Sequence, residues 1–531
     1  MPAQILSSPS WSAWGGATDS PTCLVLLTSL VGIVVFLLLV QLSKSSRSLP
    51  PGPRGLPLIG DVRHIADHNW LASPERKNEY GEMMYINALG RGVLILNSQR
   101  VAVDLLEKRS SIYSDRPHYI SGGDYMSENL AIGFMPYNDL WRRFRRASLD
   151  SFSKSASPRF YPIQHREAMM LAQALMSNPL DMDRHFRRHT SSIMLSINYH
   201  LPPVETEKDP VVLGIVDHAR RLLHELRPGA RLVEYFPWMR HFPGRLAKWK
   251  RHAQYWYIQD SLMFERLMKK VEDDLANGID QPSLGATLIK NQSQHNLSER
   301  ERAWLAGEMF SAGVETTSTT LSWWLLTMLA YPEVQARAHA ELDEVVGRAR
   351  PPTFADVPSL PYIRAMVRET LRRWLILPLG IPHVSTEDDW YEGMFIPKGT
   401  ICFPNMRVLN FEPEVFGEDA GVRFEPSRHL DEKTGELKVL MEGHEEGHMT
   451  FGFGRRLCIG KYVAENTLAI DFAVLLWAMR FEHVDGSGDE LDMETLVHSG
   501  ITARPVPFKC RAIPRFPEVE TLLSEALELY Q

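Results

Sequence analysis

The most reactive feature of the chain is one cysteine set among glycines and arginines, Phe451-Gly452-Phe453-Gly454-Arg455-Arg456-Leu457-Cys458-Ile459-Gly460. Glycines on both sides let the backbone turn tightly and leave the sulfur on a loop that then enters a helix. Backbone N–H groups of such a loop can point at the sulfur and hold it as a thiolate, and Arg455 and Arg456 add positive charge nearby. A thiolate in that setting is a metal ligand. A cysteine alone reads more simply as a small buried hydrophobe, so the ten-residue setting carries the argument.

Three other groups could do chemistry or position it. Ala312-Gly313-Val314-Glu315-Thr316-Thr317 lies inside the apolar helical stretch Trp304 to Leu329. A glycine inside a helix costs about 1 kcal/mol relative to alanine, and close approach of a flat cofactor would explain it. The Thr316 hydroxyl can bond back into the helix and open a groove, and Glu315 with Thr316 forms an acid–alcohol pair suited to proton delivery. The plain alternative is that these small residues only let helices pack closely. Trp141 and Arg145 are four apart and share a helix face, where an indole N–H and a guanidinium could bond one carboxylate; alone they also suit an amphipathic surface helix. Glu369 and Arg372 are three apart on another helix, a pair worth only about 0.2–0.5 kcal/mol on a surface.

Together these patterns resemble the cytochrome P450 monooxygenases. The Cys458 loop meets every fixed position of their haem-binding pattern, Trp141 and Arg145 match the C-helix pattern, and Ala312 to Thr317 match the I-helix pattern with Glu in place of the commoner Asp. Glu369 and Arg372 precede Leu377-Pro378-Leu379-Gly380-Ile381-Pro382-His383 and Phe424-Glu425-Pro426-Ser427-Arg428-His429 in the family's order. The resemblance implies that Cys458 is the axial thiolate of haem b, with Phe451 packed near the sulfur. It implies that Trp141, Arg145, Arg456 and His383 reach the propionates and that haem lies between the helix segment Ala312 to Thr317, with Ala312 and Gly313 against it, and the Cys458 loop. Glu369, Arg372 and Arg428 become a buried triad, and Glu315 and Thr316 the catalytic pair.

The elements that must position these groups follow from the rest of the chain. Its 531 residues are 44% apolar with 13 Trp, enough for a large core. The four cysteines, Cys23, Cys402, Cys458 and Cys510, show no CxxC spacing, which argues against a disulfide framework and structural zinc. A net charge of −7 gives no sign of nucleic-acid binding. There is no internal repeat, and the fold expected is mainly α-helical with a small β region, a P450 fold behind one N-terminal transmembrane helix. Residues 80 to 100 predict two short strands joined by a turn around Gly90-Arg91-Gly92, and Asp115 to Gly133 predicts a loop lying over the substrate.

Cys23 to Leu42 carries no charge and is long enough, at roughly 30 Å as a helix, to cross a bilayer core. Lys44 and Arg47 follow it, which leaves the bulk of the chain cytosolic. The expected division is a luminal segment 1–21, a transmembrane helix 22–42, a basic and Pro-rich hinge 43–60 and a catalytic domain 61–531, in the endoplasmic reticulum by resemblance. The sequons at Asn291 and Asn296 then lie on the wrong side of the membrane for use. No flavin or nicotinamide module is evident, so NADPH electrons would arrive through a separate reductase, docked on Arg142, Arg143 and Arg146. The reaction implied is insertion of one oxygen atom from O2 into a hydrophobic substrate. Residues 378–400 look like fungal secondary-metabolism members similar to O-methylsterigmatocystin oxidoreductase, suggesting a terpenoid or polyketide. The alternatives are a thiolate-haem isomerase or dehydratase that does not use O2, and a non-catalytic membrane-anchored haem carrier.

Overall fold

The structure, a computed structural model, describes residues 48–53, 55, 56, 60, 61, 71–227, 229–438, 444–484, 491–499 and 502–530, with positions 25, 28, 29 and 32 besides. The expected membrane span at 22–42 lies outside the described residues apart from those four positions. No helix among the described residues is long and apolar enough to cross a membrane.

The long helices are α1 (Asp139–Phe152), α2 (Tyr161–Ser177), α3 (Met182–Tyr199), α4 (Pro210–Glu225), α5 (Lys248–Ala276), α6 (Glu299–Ala330), α7 (Pro332–Val345), α8 (Pro361–Arg373), α9 (Lys461–Ala478) and α10 (Val519–Glu528). Helix α6 is the axis of the fold, packing on α3 and α5 and touching α7, α8 and α9. It starts at a capping box, in which the Ser298 side chain accepts from the Glu301 N–H and the Glu301 carboxylate accepts from the Ser298 N–H. Trp304, Trp323 and Trp324 of α6 and Trp477 of α9 are fully buried, and Trp323 stacks on Trp374 with centroids 4.5 Å apart. Burial of these rings all round the helix explains why α6 runs unbroken for 32 residues through Gly313.

The β region is small. Strands β1 (Met83–Ala88) and β2 (Arg91–Leu96) pair antiparallel as expected, although the turn is Leu89–Gly90, both at positive φ, and Arg91 and Gly92 already belong to β2. In the order β1-β2-β6-β3, β6 (Ile401–Pro404) runs parallel to β2, and β3 (His383–Val384) brings His383 to the sheet edge. Strands β4 (Asp389–Tyr391), β5 (Met394–Ile396), β7 (Met479–His483), β8 (Leu496–Ser499), β9 (Thr502–Pro505) and β10 (Cys510–Pro514) form three further two-stranded ribbons. The stretch from Asp115 to Gly133 is more ordered than a loop. Ile120–Ser127 winds into a wide helical turn whose first N–H groups, of Ile120 and Ser121, donate to the buried Glu234 carboxylate.

Candidate functional site

The cysteine loop closes tightly before it enters α9. The Cys458 N–H donates to the Phe451 carbonyl at 2.9 Å, and Gly452 and Gly454 sit at φ 79° and 52°. At Gly454 a Cβ would come 2.4 Å from the Leu106 carbonyl oxygen, so no other residue fits there. Burial pushes the Cys458 thiol up, while the N–H groups of Gly460 and Lys461 and the Arg145 guanidinium act in the opposite direction. The residue is nevertheless exposed.

Helix α6 shows the matching gap. It is buried from Arg302 to Phe310 and from Ser318 to Leu329, but from Ser311 to Thr317 only Val314 is buried, and Ala312 is exposed. Ala312 and Thr316 are one turn apart, and the Thr316 hydroxyl donates to the Ala312 carbonyl at 2.9 Å, the back-bond expected of it. Gly313 meets the plain alternative of close helix packing. A Cβ there would lie 2.6 Å from the Met194 sulfur on α3, so the glycine serves helix–helix approach and Ala312 is the residue left open. Glu315 is paired as well, its Oε1 lying 3.1 Å from Nε of Arg504 on β9. The same buried guanidinium bonds Asp183 at 3.0 Å and the Ser318 and Thr319 hydroxyls at 2.9 Å. Arg504 was not legible in the sequence, because it lies in a short strand near the C-terminus with no motif around it.

Two buried arginines, Arg116 and Arg456, and the half-buried Arg145 meet near the cysteine loop, and the Asp115 carboxylate acts on the two buried ones through space without bonding their side chains. Arg456 donates to the Ser114 carbonyl at 2.8 Å and the Met135 carbonyl at 2.9 Å, and its guanidinium lies 4.5 Å from the Trp141 ring centroid. Arg145 donates to the Leu457 carbonyl. Arg116, a third that sequence reasoning missed, donates to the carbonyls of Gly133, Ile381 and Pro382. No carboxylate among the described residues pairs with any of these side chains. Burial and the neighbouring Arg116 push Arg456 down to about 8, burial takes Arg116 to about 10, and burial also lowers Arg145. A guanidinium does not give up its proton in a protein, so the charge is instead met by an anion from outside the chain. The two propionates of haem have that chemistry, and the residues fit the group.

His383 is buried, and its Nδ1–H donates to the Tyr113 carbonyl at 2.7 Å. Burial, with Arg116 adding to it, holds the imidazole well below its ordinary value. The neutral ring therefore has only an acceptor at Nε2, so the donor role expected toward a propionate requires the ring to take up a proton. Phe451 is half-buried, its ring 5.3 Å from His448 and its carbonyl fixed by the Cys458 N–H.

The triad is complete and larger than expected. Arg372 grips Glu369 with two bonds of 2.7 and 2.8 Å, Arg428 Nε adds one of 3.0 Å, and His429 Nε2 donates a fourth at 2.9 Å. Arg372 also donates to the carbonyls of Asn410 and Ala420, which ties α8 to the chain leading into the cysteine loop.

A helical fold with a glycine-bracketed cysteine loop leading into one helix, a run of small open residues in another, and arginines beside the loop that bond only carbonyls has the features of a haem-thiolate protein. The cytochrome P450 family model matches residues 50–511, and the chain belongs to that family. It is 46% identical over 508 residues to a cytochrome P450 monooxygenase of Armillaria gallica, covering 95% of this chain and 97% of that one. It is 40% identical over 527 residues to cytochrome P450 monooxygenase 58 of Postia placenta, covering 99% of each. Identity to the monooxygenase iboC of Amanita muscaria is 33% over 534 residues, covering 92% of this chain and 94% of that one. The protein is thus an oxygen-incorporating oxidoreductase with a haem-thiolate cofactor.

Proposed function

We propose that the chain is a membrane-anchored monooxygenase that inserts one oxygen atom from O2 into a hydrophobic small molecule, a fungal secondary-metabolite intermediate such as a terpenoid. Electrons come from NADPH through a separate reductase. The observation that carries the assignment of the site is the set of three arginines, two buried and one half-buried, whose side chains bond only carbonyls beside the exposed Cys458. Haem bound there supplies the activation of O2, and thiolate ligation favours O–O cleavage.

In this reading Cys458 would ligate the haem iron, with Phe451 near the sulfur. Arg145, Arg456 and Arg116, with Trp141 and a protonated His383, would hold the propionates, and Ala312 would leave room for the cofactor. Thr316 has given its hydroxyl hydrogen to Ala312, so its oxygen is free to accept a proton-bearing group. Glu315 must leave Arg504 to bring a proton into the groove. Arg142 and Arg146 of α1 are exposed and suit an acidic reductase surface. Residues 22–42 form the anchor of an endoplasmic-reticulum protein whose catalytic domain is cytosolic. The fungal relatives and the pattern at 378–400 support the substrate class.

The deciding experiment is a carbon monoxide difference spectrum of the reduced protein beside Cys458→Ala. A strongly red-shifted Soret band that vanishes in the variant is expected. An unshifted band in the unmutated protein would overturn the assignment of Cys458.

A further inference from the structure

The segment from Asp115 to Met135 is fastened at both ends and clasped in the middle. Beside the cysteine loop, Arg116 Nε donates to the Gly133 carbonyl at 3.0 Å and Arg456 donates to the Met135 carbonyl at 2.9 Å. Between those points Ile120–Ser127 is held by the connection that leads from α4 to α5. Glu234 of that connection accepts from the Ile120 N–H at 2.9 and 3.0 Å and from the Ser121 N–H at 2.8 Å. Glu225, the last residue of α4, accepts from the Ser121 hydroxyl at 2.7 Å and from Arg231 Nε at 2.8 Å, which folds the connection back on its own helix. Arg240 adds a contact of 3.3 Å to Asp124. On the same connection Leu232, Phe236 and Trp238 are exposed, so the buried Glu234 lies just beneath the surface.

Helices α4 and α5 are attached to the rest of the molecule in two unlike ways. Toward α6, His218 of α4 lies 2.8 Å from Asp260 of α5 and 2.9 Å from Glu308, so that side is tied by opposite charges. Toward Ile120–Ser127 the tie is weaker. No lysine or arginine side chain among the described residues pairs with the Glu234 carboxylate, and Arg91 reaches only the Glu234 carbonyl. Two neutral N–H groups are its bonded partners, and burial raises the carboxyl above its ordinary value against them. The remaining contact is apolar, Met126 and Ala131 against Leu222, Leu226 and Ala253. Apolar contact has no direction and re-forms in shifted arrangements, whereas the two N–H bonds hold in one position only.

We propose that Glu234 is the clasp of an entry to the space beside Ala312: ligands pass where Ile120–Ser127 and the α4–α5 connection part, and these part when the Glu234 carboxylate releases the Ile120 and Ser121 N–H groups. This rests on the reading of the surroundings of Cys458 and Ala312 as a haem site. A clasp sets how often the entry opens, and it opens alike for an arriving and a departing ligand. It therefore governs both rates and leaves the affinity nearly unchanged.

The test uses the full-length holoenzyme with Glu234→Ala and Glu234→Gln, and follows the Soret band in stopped flow with two probes, the bulky 4-phenylimidazole and, on the reduced protein, carbon monoxide. Glu234→Ala is expected to bind and release 4-phenylimidazole several-fold faster at a closely similar dissociation constant, with carbon monoxide binding unchanged because so small a ligand does not need the entry opened. Glu234→Gln keeps the volume and one acceptor oxygen, and is expected to fall between the two. Unmutated rates in both variants would overturn the proposal. So would an equal acceleration of carbon monoxide, which would mean that the whole site had loosened, or a weakened dissociation constant at unchanged association rate, which would make Glu234 part of the ligand's own contacts. Should Glu234→Ala fail to accumulate, Glu234→Gln decides by the same three readings. An unmutated protein whose Soret band does not move with 4-phenylimidazole would instead remove the haem-site reading, so the two failures are distinguishable.

Discussion

Two groups of buried arginines in this molecule are treated in opposite ways. Arg372 is fully buried and Arg428 nearly so, and both are matched inside the chain by Glu369, which also accepts from His429 and from the Glu425 N–H. Burial works to raise Glu369, but Arg372 outweighs it and holds the carboxyl far below its ordinary range. Arg116, Arg145 and Arg456 bond only neutral carbonyls, and Asp115 acts on Arg116 and Arg456 through space without pairing with either side chain. With Asp419, 3.3 Å from Arg428, the first group sets two carboxylates against two guanidinium groups and is architecture. The second carries positive charge that the chain leaves unmatched, and a site in that state is stabilised by whatever anion binds it. A buried arginine is therefore a sign of function here only where its acid is missing.

The strongest way to break the contrast is Arg372→Met. It leaves Glu369 buried with its best partner gone, and a loss of about 3–5 kcal/mol in unfolding free energy is expected, measured by denaturant titration of the haem-free protein. Arg456→Met should behave oppositely in that assay. Removing a cation with no acid is expected to leave haem-free stability unchanged or slightly raised, while haem release to an acceptor protein speeds up by about tenfold, the equivalent of ~1.4 kcal/mol. A fall in haem-free stability as large as that of Arg372→Met would erase the distinction between the two groups.

A third buried network sharpens the rule through pH. His218 on α4 lies 2.8 Å from Asp260 on α5 and 2.9 Å from Glu308 on α6, and Arg221 completes the group through Asp260. With His218 protonated the four charges cancel. Burial pushes the imidazole down, but the bonds to Asp260 and Glu308 outweigh it and raise it to about 9. A raised folded value means the stabilisation is complete below the ordinary histidine value near 6.5 and is lost as pH rises toward 9, at up to about 1.4 kcal/mol per pH unit. Denaturation curves from pH 6 to 10 should show this decline, and His218→Gln should flatten it. An unchanged slope in the variant would assign the decline to other groups.

Much of the site was legible because its parts are local. The glycines that let the Cys458 loop turn, the Thr316 to Ala312 back-bond and the Glu369–Arg372 pair each involve residues within seven positions of one another. Gly313 signalled close approach without saying to what, and the neighbour is Met194, far away in the chain. Arg116, Arg504 and His429 were missed for the same reason, since each acts on groups brought to it by other elements.

The sequence alone determined the helical class, the thiolate loop, the two-stranded β1–β2 turn and the order of the site residues. These depend on backbone freedom, periodicity and short spacings, which survive without a third dimension. Only the tertiary structure decided which arginines find an acid, what packs against Gly313 and that Glu315 is held by Arg504. Charge compensation acts over a few ångströms of space and is indifferent to distance along the chain, so it appears only once the elements are packed.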